Sequence, residues 1–241
     1  MPVTDGPSKS SDAPRQFVPD LSESQRRAIL RSASELVTSA VFGRETEISD
    51  ASLDGAARLP VMGCFLTIQR AGRLRACCGS IGRSTPLRDA LIEAAVTTAT
   101  RDIRMPRISP RELGRLDLTV ALLHSVRPVE ARGESRRAEV VVGRDGLQIA
   151  RGPTRGLLLP SVATEHDLDV EHFLQQVCLK AGLSPTAWKA DDTELATFEA
   201  VTMSGPLDDE VVASTGEPPP ALLGPEDLRR LGIAALRLDF R

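Results

Sequence analysis

The ten residues Arg73-Leu74-Arg75-Ala76-Cys77-Cys78-Gly79-Ser80-Ile81-Gly82 set arginine, two adjacent thiols and two glycines at the end of what reads as a strand. Residues 63–69 just before them are rich in apolar and β-favouring types, and Arg70-Ala71-Gly72-Arg73 supplies a glycine where the chain must reverse. The spacing predicts a β-hairpin with the thiols on its second arm. Successive side chains of a strand point to opposite faces, which groups Leu74, Ala76 and Cys78 on one side and Arg75 and Cys77 on the other. The first group is small and apolar, so Cys78 reads as a buried hydrophobe. Arg75 lies roughly 6 to 7 Å from Cys77 along the strand. A guanidinium that near favours the thiolate, so Cys77 is expected in a cleft with Arg75, titrating below a free thiol.

Helix signals flank the hairpin. Ser22 with Gln25 makes a capping box, and Ile29, Ala33, Leu36, Val37, Ala40 and Val41 fall on one helical face until Gly43 offers a stop. Residues 45–58 are polar and irregular. Thr85 reads as a cap with Pro86 at the first helical position, and Leu87, Ala90, Leu91, Ala94, Ala95 and Thr98 recur at helical spacing. Gly79 and Gly82 ahead of a helix start suggest an anion cradle. The stretch lacks a Gly-Lys-Ser/Thr ending and Pro86 removes a donor, so a plain turn is the better reading.

Ser109-Pro110-Arg111-Glu112 is a second capping box, followed by a strand over 116–126. His124 sits on its more apolar face and reads as hydrogen-bonded structure. Strands at 139–142 and 147–150 are expected around the Asp145-Gly146 turn signal, and 151–156 reads as a tight return into the apolar run 157–159. Asp169 caps a helix whose stripe is Val170, Phe173, Leu174, Val177, Cys178 and Ala181, with Gly182 ending it. Residues 198–203 form the last strand. The resulting divisions are a disordered arm at 1–20, a domain at 21–204, an acidic Pro-rich linker at 205–220 and a short tail at 221–241. The tail has a helix-start signal at Pro225-Glu226-Asp227 and an alternating Leu236, Leu238, Phe240 end.

At 241 residues and a formal charge of -3, the chain has room for a sizeable core and carries no electrostatic footprint for nucleic acid. It has no tyrosine and one tryptophan, which disfavours base-stacking platforms. Cys64, Cys77, Cys78 and Cys178 form no C-x-x-C pair, and free thiols suit a reducing compartment. The start has no apolar h-region and no run is long enough to span a bilayer, so a cytoplasmic location is expected. His166 and His172 stand among acids, but their separation of six residues fits no zinc spacing, and no metal site is assigned. No Gly-x-Ser-x-Gly elbow is present. Arg101, Arg104, Arg107, Arg111 and Arg115 could face phosphates, yet Pro106 and Pro110 break their register and Asp102, Glu112 and Asp117 dilute their charge.

Leu74-Arg75-Ala76-Cys77-Cys78-Gly79 resembles the Leu-Arg-Gly-Cys-Ile-Gly hexapeptide of the AMMECR domain family, with Ala76 replacing glycine and Cys78 replacing isoleucine. Arg101-Asp102-Ile103-Arg104-Met105-Pro106 is similar to the family's Asp-Pro-Arg-Phe-Pro-Pro segment. Leu158-Leu159-Pro160-Ser161-Val162 is similar to its Leu-Leu-Pro-Gln-Val run, and Cys178 to Leu183 with Trp188 and Phe198-Glu199 to its C-terminal signature.

The resemblance implies an α+β domain of two lobes, a larger mixed or antiparallel sheet packed by helices and a smaller β-containing lobe, with the hexapeptide near the cleft between them. The periodicities agree on hairpins rather than a repeating βαβ order. The family association called AmmeMemoRadiSam implies a Memo-like protein and a radical S-adenosylmethionine protein as partners. It names no cofactor for this chain. The first functional reading is an accessory domain binding a small ligand or a protein segment through Arg75, Cys77, Gly79, Ser80, Asp102, Arg104 and Pro160. A second is a thiol enzyme with Cys77 as nucleophile and Arg75 as its stabiliser, for which no histidine is placed as base by sequence. A third, nucleic-acid regulation, is weakened by the charge and the aromatic poverty.

Overall fold

Ser22 opens the first helix, α1 (Glu23–Val41), because its hydroxyl accepts the Gln25 N–H at 3.1 Å while Gln25 Oε1 accepts the Ser22 N–H at 3.0 Å. Ile29, Ala33, Leu36 and Val37 form its buried stripe, and Gly43, at φ +68°, lets the chain leave. The computed structural model describes residues 18–214, so residues 1–17 of the arm expected at 1–20, residues 215–220 of the linker and the tail at 221–241 lie outside the described residues.

Two long strands follow, β1 (Pro60–Arg70) and β2 (Arg73–Pro86), joined by Ala71 and Gly72 at φ +50° and +72°. Both central residues are left-handed, the arrangement that matches the twist of a hairpin. Next come α2 (Leu87–Thr100), β3 (Leu116–Pro128), β4 (Gly146–Arg151), β5 (Thr154–Leu158), α3 (Pro160–Glu165), α4 (Val170–Lys180), β6 (Glu194–Pro206) and α5 (Asp209–Ser214). The strands form one antiparallel sheet in the order β2-β1-β3-β6-β4-β5. The fold is α+β, and the two lobes are two cores laid on this single curled sheet. α1 and α2 pack on Leu66, Ile68, Leu118, Val120 and Leu122 of one half. Around Trp188, Phe173, Leu174 and Ile149 the second core fills the other half.

Several local expectations change. β2 runs on through Pro86, so 80–86 is strand rather than turn, and α2 starts at Leu87 with Pro86 extended at the cap position. Thr85 does not cap: its hydroxyl donates to Arg83 O. Residues 139–142 are not a strand. Asp145 is fully buried and collects Val141 N–H at 2.8 Å, Arg144 and Arg127, which folds this stretch into a compact turn. The second hairpin is instead β4 with β5, turning at Gly152-Pro153. At the other end, β6 includes Gly205 and Pro206, and α5 follows. Leu207 and Val211 are buried, and the Asp208 N–H donates to Ser34 Oγ, so the expected linker contributes its first ten residues to the packed fold.

Candidate functional site

A register shift in the hairpin decides where the motif's side chains go. Ile68 pairs with Ala76, but Gln69 pairs with Leu74, so Arg75 is an extra, bulged residue of β2. Strict alternation fails at that point. Leu74 turns out to solvent at 45 % exposure instead of joining the core, and Arg75 swings out of the sheet toward the loop before β3. Its guanidinium forks onto Glu112 at 2.7 and 3.0 Å and donates to Pro106 O and Arg107 O at 2.7 and 2.8 Å. Arg75 is therefore a tie between strand and loop, not the thiol's cationic neighbour. With both its oxygens held by Arg75, Glu112 has its carboxyl kept below the usual range.

Beside Cys77 the loop places a different pair. Asp102 accepts the Cys77 N–H at 2.9 Å, and Arg104 donates to Cys77 O at 2.6 Å while gripping both Asp102 oxygens at 2.8 Å. β2 is an edge strand, and these side chains satisfy the outward backbone groups of Cys77 as a seventh strand would. The Asp102 side chain is only 5 % exposed, and Arg104's hydrogen bonds hold its carboxyl far below the ordinary carboxylate range. Because Asp102 and Arg104 both turn inward, Ile103 between them points out at 97 % exposure.

The face opposite the helices is a cleft of about 660 Å³. Cys77, Thr67, Thr119 and Ser204 lie on successive strands in one row across its floor, as their pairings show. Thr67 Oγ1 donates to Cys77 Sγ at 3.3 Å, and the Thr119 and Ser204 hydroxyls are 2.8 Å apart. One row along, Phe65 and Thr202 flank Ala121. Beyond the hydroxyls on the other side stand Gln69, Asp117 and Pro206. The opposite wall comes from β5, α3 and α4: Leu157, Leu158, Leu159, Val162, Glu165 and Lys180.

Of the expected site residues, Cys77 and Arg104 line this cleft, and Asp102 supports both from behind. Arg75 and Pro160 do not line it; Pro160 starts α3, placing its neighbours Leu159 and Ser161 on the wall. Gly79 and Ser80 are exposed strand residues outside the lining. Gly79 has a steric role, since a Cβ there would collide with Cys64 O and with the Cα and ring of Phe65. The expected burial of Cys78 is corrected as well. It is half-buried, because on an edge strand α2 covers it from one side only, and burial foremost raises its thiol. Cys64 is sealed in the core and pushed up to about 12 by burial, and Cys178 is buried too.

Sequence reading missed Thr67, Thr119 and Ser204. Their signal was present: Leu66-Thr67-Ile68-Gln69, Leu118-Thr119-Val120 and Thr202-Met203-Ser204 each alternate polar with aliphatic, the mark of a sheet with one wet face. Among the described residues no three His, Cys, Asp or Glu converge as a metal site, and no helix is long and apolar enough to cross a membrane. His124 is buried with Nδ1 3.0 Å from Ser125 Oγ, and none of the three histidines lines the cleft.

The chain is similar to several known proteins. A protein of Methanothermobacter thermautotrophicus is 43 % identical over 139 residues, 57 % of this chain and 72 % of its own length. A Methanosarcina mazei protein is 34 % identical over 183 residues, covering 74 % of this chain and 90 % of its own. The crystal structure of the uncharacterized protein PH0010 from Pyrococcus horikoshii superposes with a TM-score of 0.71 at 32 % identity, covering 76 % of this chain and 93 % of that one. The AMMECR1 family model matches residues 24–203, from the first turn of α1 to Met203 within β6, and the chain belongs to the AMMECR1 family.

Proposed function

We propose that this protein is a binding module whose cleft, between the four-strand floor and the β5–α3 wall, receives a small ligand. The observation that carries the reading is the row of Cys77, Thr67, Thr119 and Ser204, neutral hydrogen-bonding groups left uncovered in the middle of a sheet face and rimmed by Phe65 and three leucines. A mostly apolar concavity with a few convergent polar groups is what ligand sites share. Asp102 and Arg104 fix the backbone of Cys77 on both sides, so this edge of the floor is held in place before any ligand arrives.

The thiol-enzyme reading has less support. Among the described residues the side-chain partner of Cys77 Sγ is the Thr67 hydroxyl, and no histidine lines the cleft to act as base. Nucleic-acid regulation is less supported again, given a net charge of -3 and the lack of stacking aromatics.

A fragment screen by ligand-observed NMR on wild type and Thr119→Trp tests the proposal. The indole fills the middle of the floor without entering the helix-side core, so the variant keeps its melting midpoint and loses the fragments that wild type binds. Identical hit lists for the two folded proteins would overturn the reading.

A further inference from the structure

Resting on the cleft as a ligand site, the geometry points to its ligand class: an amphiphilic cation, an amine carrying an aliphatic or aryl group. The floor is graded along the strands. Phe65 and Ala121 with Leu157 and Leu159 form an apolar end, continuous with the small cluster around Phe198. Thr67, Thr119 and Ser204 follow two residues further on, and Gln69 with Asp117 two residues beyond them. From the apolar row to the carboxylate row is four residues of strand, roughly 13 Å. A ligand lying along this floor meets hydrocarbon first, then hydroxyls, then an acid.

Charge sets the sign of the polar end. Four charged side chains line the cleft: Arg104, Lys180, Glu165 and Asp117. Arg104 is neutralised by Asp102, which sits just behind the wall. Among the described residues Lys180, Glu165 and Asp117 make no ion pair, which leaves two acids against one base. Asp117 is the one of these on the floor, in register with Gln69, while Glu165 and Lys180 belong to the opposite wall. An ammonium group at Asp117 and hydrocarbon over Phe65 therefore satisfy both ends at once, whereas a carboxylate in the same pose sets like charges together.

Cys77 lies beside the hydroxyl row and serves as the reporter. Its alkylation by N-ethylmaleimide, followed by peptide mass spectrometry on the full chain, is measured with butylamine, hexylamine and octylamine, and with hexanol and hexanoate as matched neutral and anionic probes. Hexylamine is expected to protect Cys77 at concentrations about two- to fivefold below hexanol or hexanoate, the gain of one ion pair at the exposed Asp117 carboxylate. Protection should tighten about fourfold per added methylene until the apolar end is filled. Asp117→Asn removes the amine's advantage and leaves hexanol unchanged. On wild type, raising the ionic strength to about 0.5 M does the same, which keeps the test open if the variant folds poorly. Equal protection by all three hexyl probes, or best protection by hexanoate, overturns the ligand class and leaves the cleft as a binding site. If none of them shields Cys77, the ligand class and the cleft reading fail together.

Discussion

Leu66 and Thr67 are neighbours on β1 with opposite surroundings. Leu66 is fully buried beneath α1 and α2 with Ile68, Val120 and Leu122, while Thr67 faces the cleft with Thr119 and Ser204. The same four strands thus present a dry face packed for stability and a wet face that α1 and α2 leave uncovered. Covering both faces would have produced a more apolar sandwich; leaving one open costs burial and provides a floor. The lesson is that consecutive residues of one strand serve different ends, and substitutions should separate along that alternation.

The sharpest way to break the comparison is on the dry face. Leu122→Ala removes a fully buried side chain from the centre of the larger core and should cost about 4 kcal/mol in urea unfolding. Thr119→Ala, on the strand's other face, should cost under about 0.5 kcal/mol. Comparable losses at the two positions would mean that the cleft side is as much a part of the core as the helix side. Gly79→Ala comes next at about 3 kcal/mol, because the new methyl meets backbone of β1 and the Phe65 ring rather than a yielding side chain. A smaller effect is expected at the edge-strand latch. Asp102→Asn keeps the shape but loses the charge that holds Arg104 and the Cys77 N–H, for about 2 kcal/mol by the same measurement. Unchanged stability there would show that the latch is decoration on an edge already stable without it.

Local chemistry carried most of what was legible in the chain. The capping boxes at Ser22 and Ser109, the cap at Asp169 and the glycine turn at Gly72 each act within a few residues, so their signals survive in the sequence alone. The bulge at Arg75 was not legible, since one inserted residue leaves composition and propensity unchanged while reversing which face its neighbours take. Asp145 misled for a related reason. Its Asp-Gly pair marks a turn correctly, but buried hydrogen bonds to Val141, Arg144 and Arg127 consume the strand expected before it. In the cleft, Cys77 and Arg104 were visible through the motif, whereas Leu157, Glu165 and Lys180 reach the opposite wall only through the curl of the sheet.

The gentlest probe of the two faces is pH, because the dry face and the cleft edge titrate in separate windows. His124 on β3 is buried, and desolvation lowers its pKa below the ordinary 6.5, partly opposed by Glu199 on β6. The unfolded chain then binds the proton more readily than the folded one, so stability falls as pH drops below about 6.5. Asp102 behaves differently. Its folded carboxyl is held far below the value of 3.8 expected when unfolded, so its contribution is complete above that pH and is lost only as pH falls further toward the folded value. Urea unfolding at pH 7, 5 and about 3 should therefore show a first loss that His124→Gln removes and a second that Asp102→Asn reduces, the remainder coming from carboxylates such as Glu112 that are also held low in the fold. If His124→Gln left the loss between pH 7 and 5 intact, the acid response would come from groups other than this buried histidine, and the division of labour between the two sides of the sheet would not extend to protons.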